Sequence, residues 1–293
     1  MSVKQPTLAE IVESVTELPA MPHVTMAVLR EADSEDGSAR RLADQLSQDQ
    51  ALAVRVLRLS NSAFYGLPRT VSEIPEAVVV LGTRAIRSLA LVASTYPWLS
   101  KSLGSYGVAA NTLWRHSFGV GICSKLVSQR ADVAQPDTAF AGGLLHDIGK
   151  VVMGMWLDRH SIDLERIAVS ELLTFDQVES KLFGFNHADV GAALANACNL
   201  PGVLVDSIGH HHPHPDSDSE AVPDTFSDVI RVADAIAYRQ GLDMGILGYP
   251  RPFDGDSVER LNLTGDQIED IGSEFASRFE EHQRLFERST AAA

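Results

Sequence analysis

The chain has 293 residues, 45% of them hydrophobic, enough to bury a sizeable core as one large domain or two close-packed ones. Its 39 acidic against 24 basic side chains leave a formal net charge of −15, a balance that opposes non-specific attraction to DNA or to an anionic membrane surface. Only two cysteines, an N-terminus without a signal-peptide pattern and no apolar run of the ~18 residues a membrane span needs point to a reducing, cytoplasmic setting, with neither nucleic acid nor membrane as a partner.

In chain order the pattern is helical almost throughout. Thr7-Leu8-Ala9-Glu10 is a capping-box start, in which hydroxyl and carboxylate serve the first free amides. Pro22 suits the first turn of the next helix, where its missing N–H would be unpaired anyway. Helical spacing then runs through Arg40 to Leu46, Asp49 to Leu59 and Thr83 to Tyr96. The first two of these imitate a helix-turn-helix pair, but the acidic balance and the lack of a basic second helix favour packing over DNA reading. Asn61 to Thr70, with Gly66 and Pro68, is a non-helical connector whose Phe64, Tyr65 and Leu67 make it either a hinge or a docking site for a protein partner. Val78-Val79-Val80 imitates a strand, yet it keeps the helical period of Ala77, Val80 and Leu81. Arg84, Arg87 and Lys101 read as a solvated face. Ser100 to Gly107, with two glycines and two serines, is the clearest boundary.

Beyond that boundary, polar residues fall where only apolar ones belong. Phe140, Leu144, Ile148 and Val151 line one helix face, and the adjacent His146-Asp147 pair places a carboxylate among them. Between Asn111 and Arg130, His116 keeps phase with Leu113, Val120, Cys123 and Val127; His187 keeps phase with Val190, Leu194 and Cys198; Asp234 lies with Ile230 and Ala237. The run His210-His211-His212 precedes Pro213. A core carboxylate costs several kcal/mol unless something pairs with it. Taken singly, each histidine has a structural reading as a core imidazole bonded to a carbonyl, each aspartate as an ion-pair partner, and His210 and His214 as solvated loop residues. Taken jointly, mixed nitrogen and oxygen donors from separate helices converge most economically on a shared divalent cation of the manganese, iron or magnesium type. Cys123 and Cys198 sit on apolar faces as buried free thiols. Pro213 to Asp224 and Gly241 to Gly255 are irregular, and Thr264-Gly265-Asp266-Gln267 caps a last helix with Ile268, Ile271, Phe275 and Phe279 on one stripe, the residues after Arg288 being expected to be disordered.

The order His116, His146-Asp147, His211-His212, Asp234 resembles the HD phosphohydrolase superfamily. More specifically, Leu18-Pro19-Ala20-Met21-Pro22, Asp49-Gln50-Ala51-Leu52, Leu57 through Gly66, Ile74 to Ala77 with Leu81-Gly82, Leu113-Trp114-Arg115-His116-Ser117, Asn186 through Ala192 and His211-His212-Pro213 are similar to the HDOD domain, over about residues 15 to 240. The resemblance implies an all-α fold with a helical N-terminal subdomain over 1–105 packed on an HD-like bundle over 106–290. It implies a regulator of the signalling-associated branch, mostly without established catalysis, that acts on a protein partner or a small ligand such as a nucleotide second messenger. The metal positions carried over are His116, His146, Asp147, His187, His211, His212 and Asp234. The alternative is a metal-dependent phosphohydrolase or phosphodiesterase, in which Lys150, one helical turn from His146, meets substrate phosphate and a metal-bound water is the nucleophile. Gly248-Tyr249-Pro250 spells the signature of the HD-GYP cyclic-di-GMP phosphodiesterases, but it follows Asp234 instead of preceding it, and reads as a turn.

Overall fold

The computed structural model describes residues 6–13, 39–61, 67, 69–133, 135–212, 225–243 and 253–290, the last ten of these for backbone alone. Among them every regular element is a helix, and the only strand-like pairing is an isolated bridge between Leu103 and Val108. The fold is all-helical. The motif Leu18 to Pro22, the connector residues Phe64 and Tyr65, Pro213 to Asp224 and Gly248 to Pro250 lie outside the described residues.

The chain forms two compact units. One comprises Pro19–Pro97 and Ser273–Ala293. In it, α2 (Ala39–Gln48) and α3 (Gln50–Ser60) pack together through Leu42, Leu46, Leu52 and Val56. Asp49 caps α3 by accepting from the Leu52 N–H at 2.9 Å. The Asn61 amide then staples the ends of the connector, donating to the Val71 carbonyl and accepting its N–H, both at 2.7 Å. Here α4 (Ile74–Leu99) absorbs the Val78-Val79-Val80 run as helix, and Gly82, at φ 84 and ψ 158, breaks it into two pieces. An 18-residue window of this helix has a mean hydropathy of 1.6, long and apolar enough to cross a membrane by length and composition alone, although Arg84 and Arg87 interrupt it as an apolar run. Half of the apolar window is nevertheless buried inside the protein, as a core helix would be.

The other unit comprises Met1–Leu18 and Trp98–Gly272. Its first described helix, α1 (Leu8–Glu13), begins with the expected reciprocal cap between Thr7 and Glu10 and buries Ile11 completely. A single 3₁₀ turn at Gly104–Tyr106 leads into α5 (Thr112–Arg130), the spine of the unit, with α6 (Pro136–Leu145) and α12 (Thr225–Arg239) packed against it. Between them in sequence come α7 (Ile148–Arg159), α8 (Leu164–Glu171), α9 (Phe175–Phe183), α10 (His187–Ala197) and α11 (Gly202–Gly209); α13 (Gly255–Arg260) follows, and α14 (Gly265–Thr290) is divided between the two units after Gly272. α10 lies against both α7 and α11. The sequence reading of one continuous helix through His146-Asp147 is corrected: α6 stops at Leu145, α7 starts at Ile148, and Asp147 is the residue before it, at φ −96 and ψ 10. Periodicity carries across such a break because the phase is kept. Cys198 is also corrected: it caps the end of α10 half-buried, whereas Cys123 is fully buried.

Candidate metal centre

The break between α6 and α7 aims two successive side chains into one place. His146 and Asp147 are both buried, and five other polar residues from four further elements meet them there: His116 from α5, His187 from the first turn of α10, His211 and His212 from the end of α11, and Asp234 from α12. Burying so many polar groups is costly unless they satisfy one another or a bound ion. Gly149 makes the approach possible, because α7 and α10 touch backbone to backbone. A Cβ there would overlap the His187 carbonyl oxygen and stand 2.8 Å from the Gly191 nitrogen.

The outer nitrogens are fixed first. His116 Nδ1–H donates to the Leu242 carbonyl at 2.7 Å, His146 to Gly143 at 2.7 Å and His211 to Ile208 at 2.6 Å. A carbonyl only accepts, so each Nδ1 carries the hydrogen and the Nε2 of the neutral ring offers a lone pair inward. His116 Nε2 and His146 Nε2 nevertheless face one another at 3.3 Å. Burial pushes His146 down to about 3, so this ring is neutral near pH 7. Two inward lone pairs at that distance repel unless a proton or a cation stands between them. Asp147 Oδ2 lies 3.6 Å from His116 Nε2 and 3.5 Å from His146 Nε2, and Asp234 Oδ1 is 3.2 Å from His116 Nε2.

Asp147 Oδ1 faces the other way. His187 Nε2 is 3.2 Å from it and His211 Nε2 3.6 Å, while His212 Nε2 lies 2.9 Å from His187 Nε2. Neither approach to Oδ1 has hydrogen-bond geometry, which leaves Asp147 Oδ1 and His211 Nε2 as buried polar atoms without a hydrogen-bond partner. The donor atoms fall into two sets, His116 with His146 and Asp147, and Asp147 with His187, His211 and His212; within each set they lie within 4.8 Å of one another. Asp147 belongs to both, one oxygen to each. Such a set of imidazoles and a shared carboxylate, with orphaned lone pairs aimed inward, fits a pair of divalent cations.

The electrostatics agree. Burial alone would raise the Asp147 carboxyl, but His146, the Lys150 ammonium and the other imidazoles around it outweigh that and hold it well below the ordinary carboxylate range. Burial lowers His211, whereas at His187 the carboxylate of Glu179 overcomes burial and raises the imidazole. That corner of the centre thus attracts positive charge. Lys150 does not reach out to solvent, as its length would allow; it is buried and donates to Asp147 Oδ2 at 2.6 Å.

Two supporting residues escaped the sequence reading. Glu179, fully buried on α9, accepts the backbone N–H and the Nδ1–H of His187 and the hydroxyl of Tyr106. Its spacing after Phe175 and Val178, on an apolar stripe, is the same anomaly that marks Asp147 and was there to be seen. Arg231 on α12 donates to the carbonyls of His210 at 2.9 Å and His212 at 3.3 Å and to Asp254 at 3.3 Å, pinning the histidine run, and no local sequence signal points to it. His210 itself is exposed, as expected.

Residues 18–214 match the HDOD domain. The chain belongs to the HDOD family. It is 27% identical over 216 residues to an uncharacterized protein of Treponema pallidum (strain Nichols), covering 73% of this chain and 41% of that protein, so it spans about two fifths of that relative's length. The crystal structure of an HDOD domain protein of unknown function from Geobacter sulfurreducens is similar at 28% identity and a TM-score of 0.73, over 95% of this chain and 96% of that one. A candidate signal transduction protein from Marinobacter aquaeolei VT8 shares the fold with a TM-score of 0.74 at 18% identity, over 98% of this chain and 62% of that one.

Proposed function

We propose that this HDOD protein is a cytoplasmic signal-transduction regulator that works by binding a protein partner or a small ligand such as a nucleotide second messenger, with its HD-like unit organised around two divalent cations. The observation that carries the metal is the 3.3 Å approach of His116 Nε2 and His146 Nε2, each ring anchored by Nδ1 on a backbone carbonyl, beside a carboxylate shared with a second imidazole set. His116, His146, Asp147 and Asp234 would hold one ion, and Asp147, His187, His211 and His212 the other. Five imidazoles favour iron or manganese over magnesium, which prefers oxygen donors. Bound there, the ions would join five helices of the unit, so that occupancy bears directly on the stability of the surface a partner meets. Family membership and the helical unit of Pro19–Pro97, which a minimal phosphohydrolase does not need, support binding over turnover.

A second reading, metal-dependent phosphoester hydrolysis, is favoured by the donor set. His116, His146, Asp147 and Asp234 on one side and Asp147, His187, His211 and His212 on the other would hold the ions, which would supply a water of lowered pKa beside a phosphate. Lys150, already committed to Asp147, would hold that carboxylate in place or turn to phosphate. The separating experiment incubates manganese- and iron-loaded protein with cyclic-di-GMP, other cyclic dinucleotides and simple phosphodiesters. No appreciable turnover is expected; metal-dependent turnover that Asp147→Ala abolishes would replace the regulator with the enzyme.

A further inference from the structure

The two cation positions differ in what stands behind one of their imidazoles. His116, His146 and His211 rest their Nδ1–H on backbone carbonyls, whereas His187 rests on the carboxylate of Glu179 at 2.6 Å. That carboxylate is fully buried and fully used. Oε2 takes the His187 backbone N–H at 2.7 Å as well as the ring N–H, and Oε1 takes the Tyr106 hydroxyl at 2.7 Å. Tyr106 is itself locked, buried from solvent with its ring edge-on to Phe175 at 4.9 Å between centroids. Three elements thus converge on His187: the 3₁₀ turn, α9 and α10.

We infer that Glu179 is a positioning residue for one cation position only, the set of Asp147, His187, His211 and His212, and that it makes the two positions unequal. The inference rests on the two-cation reading above. A carboxylate behind a ligating imidazole holds the tautomer and ring plane and strengthens the Nε2 lone pair more than a neutral carbonyl does. Glu179 touches none of the donors of the other set in any contact the structure shows. Its action therefore reaches the centre through His187, and losing its charge weakens one position while sparing the other.

Glu179→Gln is the discriminating variant. The amide oxygen still accepts both His187 N–H groups, and the amide nitrogen donates to the Tyr106 hydroxyl, which can turn to accept. Shape and bonds persist while the charge goes. Tyr106→Phe does the reverse, keeping the charge. Manganese(II) titrations of the full metal-free chain, counted by the spectrum of free ion, should give two tight positions for the unsubstituted protein and for Tyr106→Phe. In Glu179→Gln one should stay tight and the other weaken tenfold to a hundredfold, with the melting temperature of the metal-free protein nearly unchanged. Two positions of unaltered affinity in Glu179→Gln would overturn the inference. So would equal weakening of both, or a matching fall in melting temperature, since each marks a merely structural residue. An unsubstituted chain that binds fewer than two ions would instead remove the two-cation reading itself.

Discussion

Gly149→Ala puts the assembly of the centre to a steric test. The added methyl would overlap the His187 carbonyl oxygen and sit 2.8 Å from both the His187 carbonyl carbon and the Gly191 nitrogen, whereas ordinary contact begins near 3.4 Å. All three obstructing atoms are backbone, so no rotamer change relieves the clash; α7 and α10 must separate by at least about 0.6 Å at Gly191 and by more at His187. Overpacking a core costs roughly 1–3 kcal/mol, and an obstruction made of backbone belongs at the upper end, about 3 kcal/mol. For a unit of this size that corresponds to a fall in melting temperature of roughly 6–12 °C. The same movement draws His187 from Asp147, now 3.2 Å apart, and should weaken cation binding together with stability. Thermal melts of metal-free and manganese-loaded protein measure both effects. Gly202→Ala is the control, because nothing lies within 4 Å of its added methyl; it should melt at or slightly above the unsubstituted temperature. A Gly149→Ala protein that melts within a degree of the unsubstituted one would refute the close approach of α7 and α10.

Divalent metal should stabilise the fold, by about 2.7 kcal/mol per site at a hundredfold excess over Kd, and a chelator should reverse the gain; a melting temperature indifferent to both would argue against any cation. Acidification should destabilise the metal-free protein. His146, held at about 3, leaves the unfolded chain to bind the extra proton, so its contribution is complete above the unfolded value near ~6.5 and is lost as pH falls, by about 1 kcal/mol at pH 5.5. His211, also lowered, acts in the same sense, while His187, raised, adds stability at low pH and loses it as pH climbs through its folded value, so a net fall in melting temperature from pH 7.5 to 5.5 is expected and a net rise would refute the assignment. Arg231→Met removes three hydrogen bonds from the His210–His212 carbonyls and Asp254, and should loosen metal at the His211 and His212 side by about tenfold; unchanged binding would make the arginine a surface clamp only.

Much of this was legible in the residues. A polar side chain on an apolar helical stripe is a local anomaly, and it singles out His116, Asp147, His187 and Asp234 without any structure. The Thr7 and Thr264 capping boxes and the helical phase of Val78 to Val80 are equally local and stand in the structure. What periodicity could not give was a break that keeps phase, as between Leu145 and Ile148, because the same residues face inward on both sides of it. Gly149 carries no side chain to be out of place, so its need for close approach appears only when α10 lies against α7. Arg231 acts on carbonyls distant in sequence, a relation no window contains. The half-exposure of Cys198 follows from its place past the last turn of α10, where a residue in phase is no longer covered.

The central claim is that Asp147 is shared between two cations. Protein purified without added metal, loaded with manganese or iron(II) and freed of excess ion by gel filtration, should retain two ions per chain by elemental analysis. Asp147→Ala, which withdraws a donor from both sets, should retain none. One ion or none in the unsubstituted chain, or two in Asp147→Ala, would contradict the account.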